Sequence, residues 1–358
     1  MEFATVPEDF VAGFAVLVGR PNAGKSTLTN ALVGRKVAIT SNRPQTTRHT
    51  IRGIVHSKHS QLILIDTPGL HRPRTLLGER LNDLVAETLA EVDVIGFCIP
   101  ADEKIGPGDR YIASQLAAAG NKPIVAIVTK SDKVTPDKLA EQLVAVSELG
   151  HEVMTAERKA RQERLERRAA KGGKARAKGR SELFSGDTQR SEASRGDNDG
   201  GGGWADVIPV SAVQEFQVEQ VGEVLSSHLP ESPPLYPDGD LTDEPEAVMV
   251  GELVREAALE GVRDELPHSV AVTVEEMMDR EDRPEDDPMI DVHVNLYVER
   301  DSQKAIIIGK RGARLRDIGT TARQGIEALL GTKVYLSIHV KVAKDWQRDP
   351  RALRRLGF

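Results

Sequence analysis

The stretch Phe14-Ala15-Val16-Leu17-Val18-Gly19-Arg20-Pro21-Asn22-Ala23-Gly24-Lys25-Ser26-Thr27-Leu28 decides the fold. An apolar run of strand length ends in the pattern G-x-x-x-x-G-K-S, and a helical pattern follows over 28–32. Glycines let backbone N–H groups crowd around phosphate at a helix N-terminus, Lys25 supplies a point charge to the β and γ phosphates, and the Ser26 hydroxyl can ligate magnesium. Asn22, Ala23, Gly24, Lys25, Ser26 and Thr27 are therefore the candidate phosphate-binding residues of a P-loop.

Outward from this loop, short apolar runs recur at 62–65, 94–99, 124–128 and 207–210, separated by polar segments long enough for helices. Strands buried on both faces by crossover helices read this way, which predicts an α/β domain with a mostly parallel sheet and ligands at the carboxyl ends of its strands. The run 62–65 leads into Asp66-Thr67-Pro68-Gly69. Asp66 is the expected magnesium carboxylate, and the Gly69 N–H is expected to sense a γ-phosphate. Thr46 and Thr47, in Pro44-Gln45-Thr46-Thr47-Arg48, lie where a first switch threonine would reach the same ion, and Thr47 is preferred.

The base is read from Thr129-Lys130-Ser131-Asp132, after 124–128, and from Ser211-Ala212, after 207–210. A carboxylate such as Asp132 can accept two hydrogen bonds from the donor edge of guanine, which adenine lacks. The Lys130 stem would cover the ring and the Ala212 N–H would meet the guanine oxygen. Thr129 departs from the GTPase pattern, which has Asn there, so selectivity should persist through Asp132 with reduced affinity. Leu70 stands where a Ras-like enzyme has a water-orienting glutamine. Slow hydrolysis is expected, with Lys25, Thr47, Gly69 and magnesium stabilising the transferred phosphoryl group.

At 358 residues the chain exceeds one ordinary core. The formal charge of −7 excludes indiscriminate coating of nucleic acid but not a local basic patch. The single cysteine, Cys98, excludes an intrachain disulfide and points to a reducing compartment; the acidic N-terminus is unlike a secretion signal, and no apolar run is long enough to span a bilayer. Residues 154–203 change composition, Arg/Lys/Ala-rich over 157–180 and then Ser/Asp/Asn/Gly-rich, which predicts an insertion with a helical first part.

Beyond a Pro- and Asp-rich linker at 230–246, the periodicities predict the order α-β-β-α-α-β over 247–345, then a tail helix within 346–358. Ile306-Ile307-Ile308-Gly309-Lys310-Arg311-Gly312 places a G-x-x-G loop between two helices of that order, which resembles an α+β type II KH domain. Ile308, Gly309, Lys310, Arg311, Gly312 and Arg314 are the candidate RNA-binding residues. Lys341, Lys344 and Arg348 could extend the positive face, and the segment 275–287 reads as an acidic loop.

Taken together, Gly19 to Ser26, Pro44 to Arg48, Asp66 to Leu70, Ser211-Ala212, Gly309 to Gly312 and the tail from Trp346 to Gly357 resemble the Era family of GTPases; only 154–203 lies outside the likeness. The resemblance implies a G domain over 1–229 that binds GTP and GDP with Mg2+. It also implies a KH domain for the 3′ end of 16S rRNA, a role in assembling the 30S subunit, and a cytoplasmic monomer with peripheral membrane contact. Two other readings compete: a passive RNA-binding protein with weak nucleotide turnover, and a membrane-associated cell-cycle signalling GTPase.

Overall fold

The computed structural model describes residues 7, 9–40, 50–70, 75–120, 122–175, 203–260, 270–284 and 287–356, with the side chains of 167–175 excepted. The first domain is a six-stranded sheet in the order β2-β3-β1-β4-β5-β6: β1 (Val11–Val18), β2 (Ile51–His56), β3 (Ser60–Asp66), β4 (Val94–Pro100), β5 (Ile124–Thr129) and β6 (Asp206–Pro209). Every neighbouring pair is parallel except β2 with β3. Successive side chains of a strand face opposite ways, so each apolar run feeds two cores. Val16, Phe97 and Ala126 join one core beneath α2 (Leu76–Glu91), α3 (Pro107–Ala118) and α4 (Pro136–Ala175). Leu17, Cys98 and Ile127 join the other, beneath α1 (Lys25–Val33) and α5 (Val218–Ser227).

The edge strand β2 is absent from the sequence reading, because Ile51-Arg52-Gly53-Ile54 breaks the apolar run with an exposed arginine and a glycine. The expected linker 230–246 is a strap laid along that edge. The Ile54 N–H donates to Leu241 O at 2.9 Å, Gln61 Oε1 accepts from Leu235 N at 2.6 Å, and Arg52 pairs with Asp243 at 2.9 Å. The first of these bonds occupies a backbone group that an edge strand would otherwise leave open.

The second domain has the expected order: α6 (Glu246–Leu259), β7 (Ala271–Asp279), β8 (Met289–Val298), α7 (Asp301–Ile308), α8 (Ala313–Leu330) and β9 (Lys333–Val342), followed by the tail helix α9 (Pro350–Arg355). β8 pairs antiparallel with β7 and parallel with β9, and Val292, Val294 and Leu296 pack under α6 and α8. The acidic segment expected as a loop from 275 is strand as far as Asp279. A bulge between Val274 and Glu276 carries the pairing past the charged residues.

Among the described residues the two domains touch at two places. Val37, Ala38 and Ile51 bury Met249 of α6, beside Leu329 of α8. Leu77 and Leu81 of α2 meet Ala271, Trp346, Leu353 and Leu356, and the Leu77 N–H donates to Gln347 O at 3.2 Å. Trp346 is fully buried in that second cluster. Trp346→Ala is expected to destabilise the protein by about 3–5 kcal/mol in urea unfolding; a loss under about 1 kcal/mol would mean the tail adds no packing in solution.

Candidate nucleotide site and nucleic-acid interface

Four loops leave the carboxyl ends of β1, β3, β5 and β6 and converge. In the first, Lys25 is only 6% exposed, and its ammonium donates to the carbonyls of Arg20 at 3.2 Å and Gly19 at 3.4 Å. Burial pushes its pKa below the ordinary lysine value, against the opposing charge of Asp66. The same burial pushes the Cys98 thiol up to about 12, so it stays neutral, as a core residue should. The Ser26 hydroxyl donates to Asp66 Oδ2 at 2.6 Å, which unites the first loop with the second.

A hydroxyl and a carboxylate side by side, with no cluster of three His, Cys, Asp or Glu among the described residues, is a donor set suited to Mg2+. That ion takes hard oxygens and usually completes its shell with phosphates and water. Thr67 is fixed below the loop, its hydroxyl donating to Leu17 O at 2.9 Å, and Pro68 and Gly69 are buried. A Cβ at Gly69 would lie 2.6 Å from Pro21 N, so only glycine lets these loops touch. Leu70 packs against the α2–α4 core, and its N–H donates to Gly19 O at 3.2 Å. Its apolar side chain offers nothing to polarise water. Thr46 and Thr47 lie outside the described residues.

Thr129 is buried, and its hydroxyl donates to Ala23 O at 2.6 Å, tying the third loop to the first. Lys130 adopts a left-handed backbone (φ 57°), and its ammonium lies 3.6 Å from Asp102 and 3.7 Å from Glu103. Asp132 is exposed, and its Oδ1 accepts from the Ser211 hydroxyl at 2.6 Å, which brings the third and fourth loops together. The half-buried Ala212 follows in the same turn. Every described residue singled out in these loops therefore falls in one contiguous site.

One pairing escaped the sequence reading. Arg20 donates to the fully buried Asp109 of α3 at 2.7 Å and to Glu103 at 3.0 Å. Asp109 also accepts from Gly106 N at 2.8 Å, so it is both a helix cap and a brace for the phosphate loop. A separation of 89 residues leaves no local pattern to reveal it.

In the second domain Lys310 and Arg311 are exposed in the G-x-x-G turn, with Arg311 left-handed at φ 54°. At Gly309 (φ 71°) a Cβ would sit 2.7 Å from Arg314 Cβ. Ile308 is half-buried behind the turn. Arg314 is engaged elsewhere: its guanidinium donates to Glu260 O at 3.0 Å and Ala258 O at 3.4 Å, closing the end of α6. A groove of about 740 Å³ runs between α8 and β9, lined by Arg311, Leu315, Arg316, Arg323, Tyr335 and Ile338 among others. Tyr335 is half exposed, with Arg280 5.1 Å from its ring centre. An apolar floor, an open ring and guanidinium groups suit stacked bases and a phosphate backbone. The positions 316, 319 and 323, three and four apart along α8, are the signal that could have found this face.

Residues 14–130 match the family of 50S ribosome-binding GTPases, and residues 265–347 match the KH domain family. GTPase Era of Streptomyces coelicolor is 60% identical over 347 residues, covering 97% of this chain and 95% of the relative. GTPase Era of Mycobacterium tuberculosis is 57% identical over 352 residues, covering 98% and 99%. Among solved structures, Era in complex with MgGDPNP and nucleotides 1506–1542 of 16S ribosomal RNA has a TM-score of 0.77 at 31% identity, covering 97% of this chain and 99% of that one. A variant of Aquifex aeolicus Era bound to GDP and AlF4− gives 0.76 at 31%, with the same coverage. Fold and relatives together define a P-loop GTPase joined to a KH domain. The chain belongs to the Era family of GTPases.

The Thr129 hydroxyl makes a side-chain bond between the base motif and the phosphate loop. Thr129→Val, which keeps the shape and removes the donor, is expected to weaken GDP binding about 5-fold, the equivalent of ~1 kcal/mol. Titration with a fluorescent GDP analogue checks this, and an unchanged Kd would mean the tie is idle.

Proposed function

We propose that this chain is a magnesium-dependent, GTP-hydrolysing switch that acts in the cytoplasm as a monomer, binds the 3′ end of 16S rRNA through its second domain, and assists assembly of the 30S subunit. Asn22 to Thr27 wrap the phosphates, with Lys25 charge-pairing the β and γ groups. Ser26 and Asp66 hold Mg2+, joined by Thr47 when GTP is bound. The ion neutralises charge on the phosphate oxygens. Thr67, Pro68 and Gly69 follow the γ-phosphate, while Thr129, Lys130, Asp132, Ser211 and Ala212 hold the guanine. With Leu70 in place of a glutamine, transition-state charge is met by Lys25 and by loop amides, so turnover is slow without a partner.

The observation that carries the switch reading is where the second domain grips the first. Thr40, the last described residue before 41–49, donates to Glu256 of α6 from its N–H at 2.9 Å and from its hydroxyl at 3.3 Å. Lys36 meets the other Glu256 oxygen at 2.5 Å, and Arg35 donates to Leu329 O at 3.0 Å. On the far side of the site, α2 begins just beyond 71–74 and carries the Leu77–Trp346 contact. The two segments expected to sense the γ-phosphate are thus each anchored, at one end, to the domain that carries the RNA groove. A nucleotide that rearranges either one alters those anchors, and by linkage RNA alters nucleotide affinity by the same factor.

Two measurements test this. In a competition of GTP, ATP and xanthosine triphosphate, the intact protein should select GTP, and Asp132→Asn should shift preference toward xanthosine triphosphate by at least about 10-fold, since one bidentate carboxylate contact is exchanged. A preference for ATP in the intact chain would remove the nucleotide assignment. Separately, GTP affinity should change about 5-fold or more when an RNA carrying the 16S 3′ end is added, within the usual range of coupling energies. Glu256→Gln should shrink that change while leaving RNA affinity without nucleotide near its original value. Equal GTP affinity with and without RNA would eliminate coupling.

A further inference from the structure

Helix α4 is too long for the domain it covers. Its 40 residues span about 60 Å, yet the last buried side chain among those described is Val153, and from Thr155 to Glu166 every side chain is exposed or partly so. Both ends of the excursion are pinned. Val146, Leu149 and Val153 sit in the core, and the chain returns at Trp204, which donates to Val146 O at 2.8 Å and stacks edge-on against Phe97 with ring centres 5.6 Å apart. Beyond Val153 the helix therefore continues for about 30 Å, and over 155–166 none of its side chains is buried.

Its charges are ordered. Over 157–175 there are eight Lys or Arg against three Glu, a net charge of +5 in a chain whose total is −7. Arg161, Arg164, Arg167, Arg168, Lys171 and Lys174 recur at spacings of three and one, which places these positions within an arc of about 140° on the helix. Glu163 and Glu166 fall outside that arc, and Glu157 is paired with Arg164 at 3.4 Å. Apolar residues form no opposing stripe: Leu165 is 59% exposed, and the rest of the span is Ala and Gly apart from polar side chains. A helix that lies in a membrane interface needs such a stripe, and so does one that docks in a protein groove. A phosphate backbone needs only the charge.

We infer that the basic face of 155–175 is a second RNA-contacting surface, which takes the phosphate backbone of a folded RNA at a distance from the α8–β9 groove. The helix leaves from the β5–β6 side of the sheet, whereas the second domain sits at the β2 edge. Five strand spacings, about 24 Å, separate the two edges. An RNA long enough to reach both is held at two points, and the second contact is made at high effective concentration. A short single strand filling the groove reaches only one.

The test replaces Arg161, Arg164, Arg167, Arg168, Lys171 and Lys174 with Gln in the full chain, with a second variant in which a short Gly-Ser linker closes 157–202. Both are measured for binding to intact 16S rRNA, to a short oligonucleotide of its 3′ end, and to vesicles of phosphatidylglycerol and phosphatidylethanolamine, across 50–300 mM KCl. The expected result is binding to 16S rRNA at least about 10-fold weaker at the low-salt end, with the log–log salt slope shallower by about 3 or more. Oligonucleotide affinity and GTP hydrolysis should be unchanged. Unchanged rRNA affinity and slope overturn the proposal, as does a loss confined to vesicles. Should the intact chain ignore the oligonucleotide, the groove assignment fails, but a fall in rRNA binding in the arm variants would still uphold this one.

Discussion

A lysine ammonium held almost out of water is the constraint around which the nucleotide domain is arranged. Lys25 is 6% exposed, its pKa is pushed down by burial, and its ammonium donates to backbone carbonyls of its own loop. Such a charge is costly unless strong negative charge is brought to it. The surrounding features keep the loop in the shape that allows this. Arg20 is braced by Asp109 from α3, Ala23 O is tied to Thr129 from β5, and Gly69 lies against Pro21 where no side chain would fit. Three different elements thus fix the P-loop backbone, and a triphosphate arriving there finds amides and ammonium already placed.

Backbone strain collects where ligands are expected. Asn22, Lys130 and Arg311 all have positive φ without being glycine, and each stands in a separate binding loop: phosphate, base and RNA. Glu215 and Gln217, also at positive φ, shape the turn after Ser211-Ala212. Each such residue costs of order 1 kcal/mol or more and persists only because neighbours over-determine it. At Ser211 the neighbours are visible: its hydroxyl accepts from Gln214 N at 3.1 Å while donating to Asp132, so the strained turn and the base carboxylate are held by one atom.

Elements whose physics is local could be read from the chain. The doubly buried strands appear as apolar runs, the P-loop as a strand, a glycine loop and a helix, and the second domain as a change from long to short periodicity. What could not be read depends on distant partners. β2 is interrupted by Arg52 and Gly53, and its open edge is met by the strap at 230–246, whose Pro and Asp content by itself reads only as a linker. Arg314 reads as a phosphate ligand by its place beside the G-x-x-G turn, yet α6 supplies two carbonyls that claim it. Glu256 looks like any surface acid on α6, and only the docking of the two domains sets it against Thr40.

Magnitudes decide which interdomain contact can move if the chain switches as proposed. The Leu77–Trp346 cluster buries several large side chains to a few per cent exposure or less. Each is worth roughly 1.5–3 kcal/mol in burial, so separating the cluster outright would exceed the 1–3 kcal/mol that allosteric coupling usually supplies. The contact at Glu256 is different in kind. Its partner Lys36 is half exposed, and the bonds to Thr40 can be exchanged for water at about 1 kcal/mol each. Exchanging the polar latch alone lies within such a coupling energy, whereas the apolar contact beside it, where Val37, Ala38 and Ile51 bury Met249, is held by burial as the tail cluster is. A switch of that size would exchange the bonds of Glu256 with Thr40 and Lys36 while both apolar contacts between the domains stay closed.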